Sequence, residues 1–208
     1  MRNPTKQYAV FGLFFTMLLS LMPAAEGIAD ELQPPQQVIQ SVSSQLQQKM
    51  RDKSFTKNFA QVTQYVDNVI DPHTDFDKIA PLVLGKHWKT ATTGEQERFK
   101  HEFQTLIVRT YSRAFVEYND WTMRFMPIEM SDDATKVIVK TEVLQPGQQP
   151  VDVSYRMFLS KGEWKVYDIM IGGVSLVTNY RSTFSEEIQK RKVRLRFQFP
   201  QTLELRFG

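Results

Sequence analysis

The 208-residue chain has no cysteine. Disulfide staples, thiol nucleophiles and cysteine metal sites are therefore excluded, and the fold must be held by packing alone. Long hydrophobic runs are equally scarce. The stretch AVFGLFFTMLLSLM at 9–22 falls short of the roughly 20 residues that a membrane span needs. It follows Arg2 and Lys6 and precedes the small residues Gly27 and Ala29, the layout of a secretory signal cleaved after Ala29. Residues 1–29 thus read as a signal peptide and 30–189 as one domain, long enough to bury a core without disulfides. Residues 190–208 form an atypical basic tail to which no function is assigned. The expected mature protein is exported and soluble.

Charge of one sign is lacking over most of the chain. The formal +3 is concentrated at the ends. Arg2 and Lys6 against Glu26 give +1, and Lys190, Arg191, Lys192, Arg194, Arg196 and Arg206 against Glu204 give +5, so residues 30–189 carry −3. No basic face or nucleic-acid motif remains in the body of the protein, and no nucleic-acid partner is expected.

What is present is periodicity. Val38, Val42, Leu46 and Met50 recur at helical spacing, as do Phe55, Phe59, Val62, Val66, Val69 and Ile70, which read as a second helix stopped at Asp71-Pro72. Thr74 to Asp77 resembles a capping box ahead of Ile79, Leu82 and Val83, with Gly85 as the stop. A second box, Thr93 to Gln96, opens the longest helix, with Phe99, Phe103, Leu106, Ile107, Tyr111, Ala114, Phe115 and Tyr118 as its stripe. After Trp121 the period becomes two. Strands are expected near 121–130, 136–145, 150–160 and 163–171, an antiparallel meander. Helices followed by strands predict an α+β fold: an antiparallel sheet of four to five strands with helices packed on one face.

Catalytic chemistry finds little support. Ser175 lies in GGVSL, which is not GxSxG, and no histidine follows it. Its better reading is a helix N-cap. The oxygen-rich DPHTDFD at 71–77 lacks the glycine turn and distal Glu of a calcium loop. His73, His87 and His101 are 14 apart, no ligand spacing. No metal, cofactor or catalytic residue is therefore assigned. Asp168, within a strand, needs a partner if buried, and Arg181 is the candidate. A general-base role for Asp168 is the competing reading.

The remaining candidates are apolar. Met123, Phe125, Val139, Val153, Tyr155, Met157 and Val166 fall on one sheet face, and Phe103, Leu106, Tyr111 and Phe115 oppose them from the long helix. Periodicity does not distinguish a filled core from a lined cavity.

Two blocks go further: LVLGKHWKTATTGEQERFKHEFQTLIVRTYSRAF (82–115) and EWKVYDIMIGGVSLVTNYRSTF (163–184). The LGKxW turn, the WKVYD strand and the GVSLVxNYRSxF helix start resemble the MlaC family, also called the toluene-tolerance family. The resemblance runs from about residue 36 to about 189. It departs at Gly172, where the family commonly has an acidic residue, and at the tail, where Val193, Leu195, Phe197 and Phe199 alternate as in a strand.

The resemblance implies a cone-like α+β domain around an apolar pocket, acting as a periplasmic phospholipid-binding shuttle of an ABC-type transport system that maintains outer-membrane asymmetry. The implied partners are a phospholipid, an inner-membrane ABC transporter complex and an outer-membrane lipoprotein/porin complex. The eleven apolar residues above become the expected pocket lining. Asp168, Gly173, Ser175 and Arg181 become its structural rim, with Gly172-Gly173 as the corner between sheet and lipid-covering helix. The residues alone leave two alternatives open: a small hydrolase or isomerase using Asp168, and a chaperone-like binder of apolar segments.

Overall fold

The computed structural model describes residues 31–118 and 120–191, all but Glu31 in the unit that runs from Leu32 onward. The expected signal peptide and the strand pattern of the tail lie outside the described residues.

Helices come first: α1 (Pro34–Met50), α2 (Lys53–Thr56), α3 (Phe59–Ile70), α4 (Phe76–Leu84) and α5 (Thr93–Glu117). Then follow β1 (Thr122–Phe125), β2 (Lys136–Leu144), β3 (Val151–Ser160), β4 (Glu163–Ile171), β5 (Val174–Ser175) and α6 (Leu176–Arg191). The class is α+β, with a five-stranded sheet in sequence order, every neighbouring pair antiparallel.

The helix boundaries differ from the sequence reading in three places, each set by a polar side chain. The single helix expected across 55–70 is broken, because Asn58 accepts from the Gln61 N–H at 3.2 Å and starts α3 afresh. Asp75, not Thr74, caps α4, accepting from the Lys78 N–H at 2.8 Å. The box opening α5 is Thr92–Glu95 rather than Thr93–Gln96. Thr92 accepts from the Glu95 N–H, and the Glu95 carboxylate accepts from the Thr92 N–H at 2.9 Å. Neighbouring cap-forming residues compete for these positions, and local sequence does not rank them.

The register divides the sheet into two faces. Met157 pairs with Val137, Tyr155 with Val139 and Val153 with Thr141. On the other side Tyr155 pairs with Ile169 and Met157 with Val166. Ile169 and Val166 share a face although three residues apart, because a bulge between Arg156 and Met157 inserts one extra residue in β4. Arg156 and Phe158 point the other way. Asp168, opposite Arg156, and Tyr167, whose ring meets that of Phe158 edge-on at 5.9 Å, share that second face.

Packing is distributed over three apolar clusters instead of one. The first joins α4, the start of α5 and α6 through Val83, Leu84, Phe99, Phe103, Tyr180 and Phe184. The second joins α1, α3 and the later part of α5 through Leu46, Met50, Val62, Val66 and Val108. The third lies on the first face of the sheet, where Val139, Met157, Trp164 and Val166 bury against Ile39 of α1. Two devices tie the start of α4 to the sheet: a parallel bridge from Thr74, just ahead of the helix, to Val166 of β4, and the Lys78 ammonium 4.1 Å over the Phe158 ring of β3.

Candidate functional site

All seven sheet residues picked out by alternation share the first face. Val139, Met157 and Val166 are buried there, and Met123, Phe125 and Tyr155 pack against them. Val153 is also buried, between Thr141 and Ile171. The four helix residues are not gathered in one wall. Phe103 is buried among the helices, stacked on Phe99 at 5.6 Å and edge-on to Tyr180 at 5.2 Å, and Leu106 packs against that cluster. Phe115 belongs to the second cluster and lies 6.5 Å from Trp121. Ala114 and Tyr118, at the end of the expected stripe, are exposed.

Tyr155 and Tyr111 stand apart from ordinary core residues. Burial pushes the Tyr155 hydroxyl up to about 12, with an opposing hydrogen bond to Thr141. The residue nevertheless keeps free surface. Its ring packs at the margin of the cluster on the first face of the sheet. Tyr111 behaves alike: burial, and then Tyr180, raise its hydroxyl well above the usual phenol range, while part of its surface stays free. Leu106, Ile107, Ile169 and Val177 are likewise apolar and incompletely covered. Leu106, Ile107 and Val177 pack against the first cluster and Ile169 against the third.

Ile169, Leu176 and Val177 were missed from sequence. Alternation along Tyr167, Ile169 and Ile171 was the available signal for the first, but the bulge reverses its phase relative to Val166.

Asp168 is 4 % exposed. Its carboxylate accepts from the Ser175 hydroxyl at 2.7 Å and the Val177 N–H at 3.2 Å, and Arg156 Nη1 stands 3.5 Å away. Arg181 is not its partner, contrary to the sequence reading. The antiparallel register sets Arg156 directly across from Asp168, whereas Arg181 stands over Gly85. Ser175 also accepts from the Thr178 N–H at 3.1 Å, closing the first turn of α6. Gly172 and Gly173, at φ +55° and +80°, turn the chain from β4 into β5 in a backbone region that side chains disfavour. These residues anchor the start of α6 to the sheet.

A surface depression of about 300 Å³ lies elsewhere, lined by residues such as Asp71, Asp77, Lys100, Gln104 and Lys165. Its polar walls do not suit an apolar ligand. Within it Asp77 pairs with Lys100 at 2.6 Å, so the acidic run at 71–77 is engaged in caps and ion pairs. Among the described residues, no three His, Asp or Glu side chains are grouped as metal ligands, and no helix is long and apolar enough to cross a membrane.

Comparison with known proteins gives this geometry its context. The chain is similar to a phospholipid-binding protein from Ralstonia solanacearum whose structure was solved in complex with a phospholipid. The TM-score is 0.71 and the identity 30%, over 77% of this chain and 90% of that one. It is 24% identical to the toluene tolerance protein ttg2D of Pseudomonas putida, over 83% of this chain and 81% of that protein. It is 26% identical to the intermembrane phospholipid transport system binding protein MlaC of Haemophilus influenzae, over 54% of each chain. The family model described as MlaC protein matches residues 40–195. With well over half of its length matched in this way, the chain belongs to the MlaC family.

Proposed function

We propose that this protein is a phospholipid-binding shuttle of an intermembrane transport system. It holds the acyl chains of its lipid against the first face of the sheet, near Tyr155 and Ile169, with the headgroup outside. The observation that carries the reading is the row of apolar side chains that the register gathers on the first face of the sheet. The phospholipid bound by the Ralstonia relative supports it.

The physical demand is large. At roughly 0.8 kcal/mol per CH₂, two chains of about 30 methylenes in total represent about 24 kcal/mol of gross transfer. An aqueous carrier therefore needs an apolar interior comparable to the bilayer it replaces, and handover needs no chemistry beyond an acceptor of similar depth. By the same reading the protein works in the periplasm. It receives or delivers lipid at an inner-membrane ABC transporter complex and an outer-membrane lipoprotein/porin complex. It is not an enzyme: Asp168, the one buried carboxylate weighed for catalysis, has its oxygens engaged by Ser175, Val177 and Arg156.

Denaturing extraction of protein purified from a bacterial host, followed by mass spectrometry, tests this. Co-purifying phospholipid is expected, and repeated absence of any lipid would defeat the reading.

A further inference from the structure

The turn between α4 and α5, Gly85–Thr90, carries a group of cations that the lipid-holding role does not use. Gly85 ends α4 at φ +54°. A Cβ built there would meet Nη2, Nε and Cζ of Arg181 at 2.9, 3.0 and 3.1 Å. With both nitrogens nearer than Cζ, that point lies obliquely over the Nε–Nη2 edge of the guanidinium. Arg181, reaching over from α6, therefore lies with its Nε–Nη2 side against the glycine. The carbonyl end of α4 favours a cation in this place. Its Nη1 end points away from the glycine, and the residue is exposed. Among the described residues it has no ion-pair partner.

Lys86 and Lys89, in the same turn, are also exposed and unpaired among the described residues. No acidic residue lies between Lys78 and Thr93 or between Gly172 and Ser185, in a stretch of chain that is otherwise net acidic. His87, between the two lysines, has its Nε2 buried without a hydrogen-bond partner. An arginine held against a backbone, with the Nη1 end of its planar fork turned outward, suits a tetrahedral oxyanion better than a mobile lysine does.

We propose that the Gly85–Thr90 turn and Arg181 form a binding site for a phosphate group, with Arg181 as the bidentate donor and Lys86 and Lys89 as flanking charges. The phosphate is either that of a phospholipid headgroup or free in solution. The lipid source rests on the function proposed above; the free-phosphate source does not.

The test is a nitrogen–proton spectrum of the arginine Nε groups of delipidated and phosphatidylglycerol-loaded protein, each titrated with inorganic phosphate against chloride at equal ionic strength. A saturable shift of the Arg181 signal with phosphate in delipidated protein is expected. Arg181→Gln should weaken binding about tenfold or more, read from the backbone amides of residues 86–90. Lys86→Gln with Lys89→Gln should weaken it while leaving the arginine in place. If the site takes the headgroup of the carried lipid, loaded protein shows the shift before phosphate is added and responds no further. If it takes phosphate from outside, both forms respond alike. A signal that moves equally with chloride, or not at all in either form, would overturn the proposal and leave Arg181 as a cover for the end of α4. A protein without co-purified lipid but with a phosphate-responsive Arg181 would sink the function proposed above and leave this site standing.

Discussion

Replacing Asp168 separates its structural role from a catalytic one. The carboxylate accepts one hydrogen bond from the Ser175 hydroxyl and one from the Val177 N–H, both partly buried. Hydrogen bonds to a charged group contribute about 1.5–3 kcal/mol and neutral ones about 0.5–1.5. Asp168→Asn keeps the shape but only one accepting oxygen: with that oxygen on the Val177 N–H, the amide nitrogen must donate to Ser175, so one bond falls to the neutral class and the other reverses, a loss of about 2 kcal/mol. Asp168→Ala leaves a hydroxyl and an amide without acceptor, at about 1–3 kcal/mol each, hence about 4 in total. Arg156 adds little, because its side chain is 42% exposed and solvent screens the pair. At about 2–4 °C per kcal/mol for a domain of this size, the melting temperature should fall by about 4–8 °C for Asn and about twice that for Ala. Thermal melts of delipidated protein by far-UV circular dichroism measure both. Melting of Asp168→Ala at the parent temperature would refute the reasoning, since no orphaned N–H would then exist. An Asp168→Asn protein of unchanged stability that had lost a measurable turnover would make the residue catalytic.

Two further outcomes follow from the first face of the sheet. Val153→Trp projects a ring from β3 beside Thr141 and Ile171. In a solid core it would overpack at about 1–3 kcal/mol. Bordering a lipid space, it should leave the empty protein stable and lower the lipid carried per molecule, as paired melts and lipid counts will show. The Tyr155 hydroxyl, pushed up to about 12 by burial, lies above the roughly 10 of an unfolded tyrosine. Its contribution to stability is therefore intact below about pH 10 and lost as pH climbs through 12. Ultraviolet titration of the parent against Tyr155→Phe should show one late phenolate step missing from the variant; a missing step that falls at pH 10 would contradict the burial.

The sheet was the legible part of this fold. Strict alternation along Val151 to Leu159 fixed which side chains share a face, and that face is the observed one. The bulge opposite Arg156 and Met157 was not legible, because it depends on a cross-strand pairing that no local pattern records. The wrong partner for Asp168 has the same origin: Arg156 is across a strand pair, and only the register brings it there. The caps of α4 and α5 were misplaced by one residue because Thr74 and Asp75, or Thr92 and Thr93, are each chemically able to serve. The two-residue β5 is too short to leave a period. The difference between Phe103, buried among helices, and Tyr111, left with free surface, was beyond reach. Both sit on the same helical stripe, and what decides their surroundings is how far apart the clusters settle.

The central claim, that acyl chains lie against the first face of the sheet, is tested most directly by photo-crosslinking. p-Benzoylphenylalanine placed at Tyr155 should attach covalently to phospholipid in protein carrying its co-purified lipid. The same group at Ile138, 42% exposed on the second face, is the control. Mass spectrometry of the irradiated proteins should find the lipid adduct at 155 and not at 138. An adduct at 138 equal to or above that at 155, in protein shown to hold lipid, would place the ligand elsewhere and contradict the account.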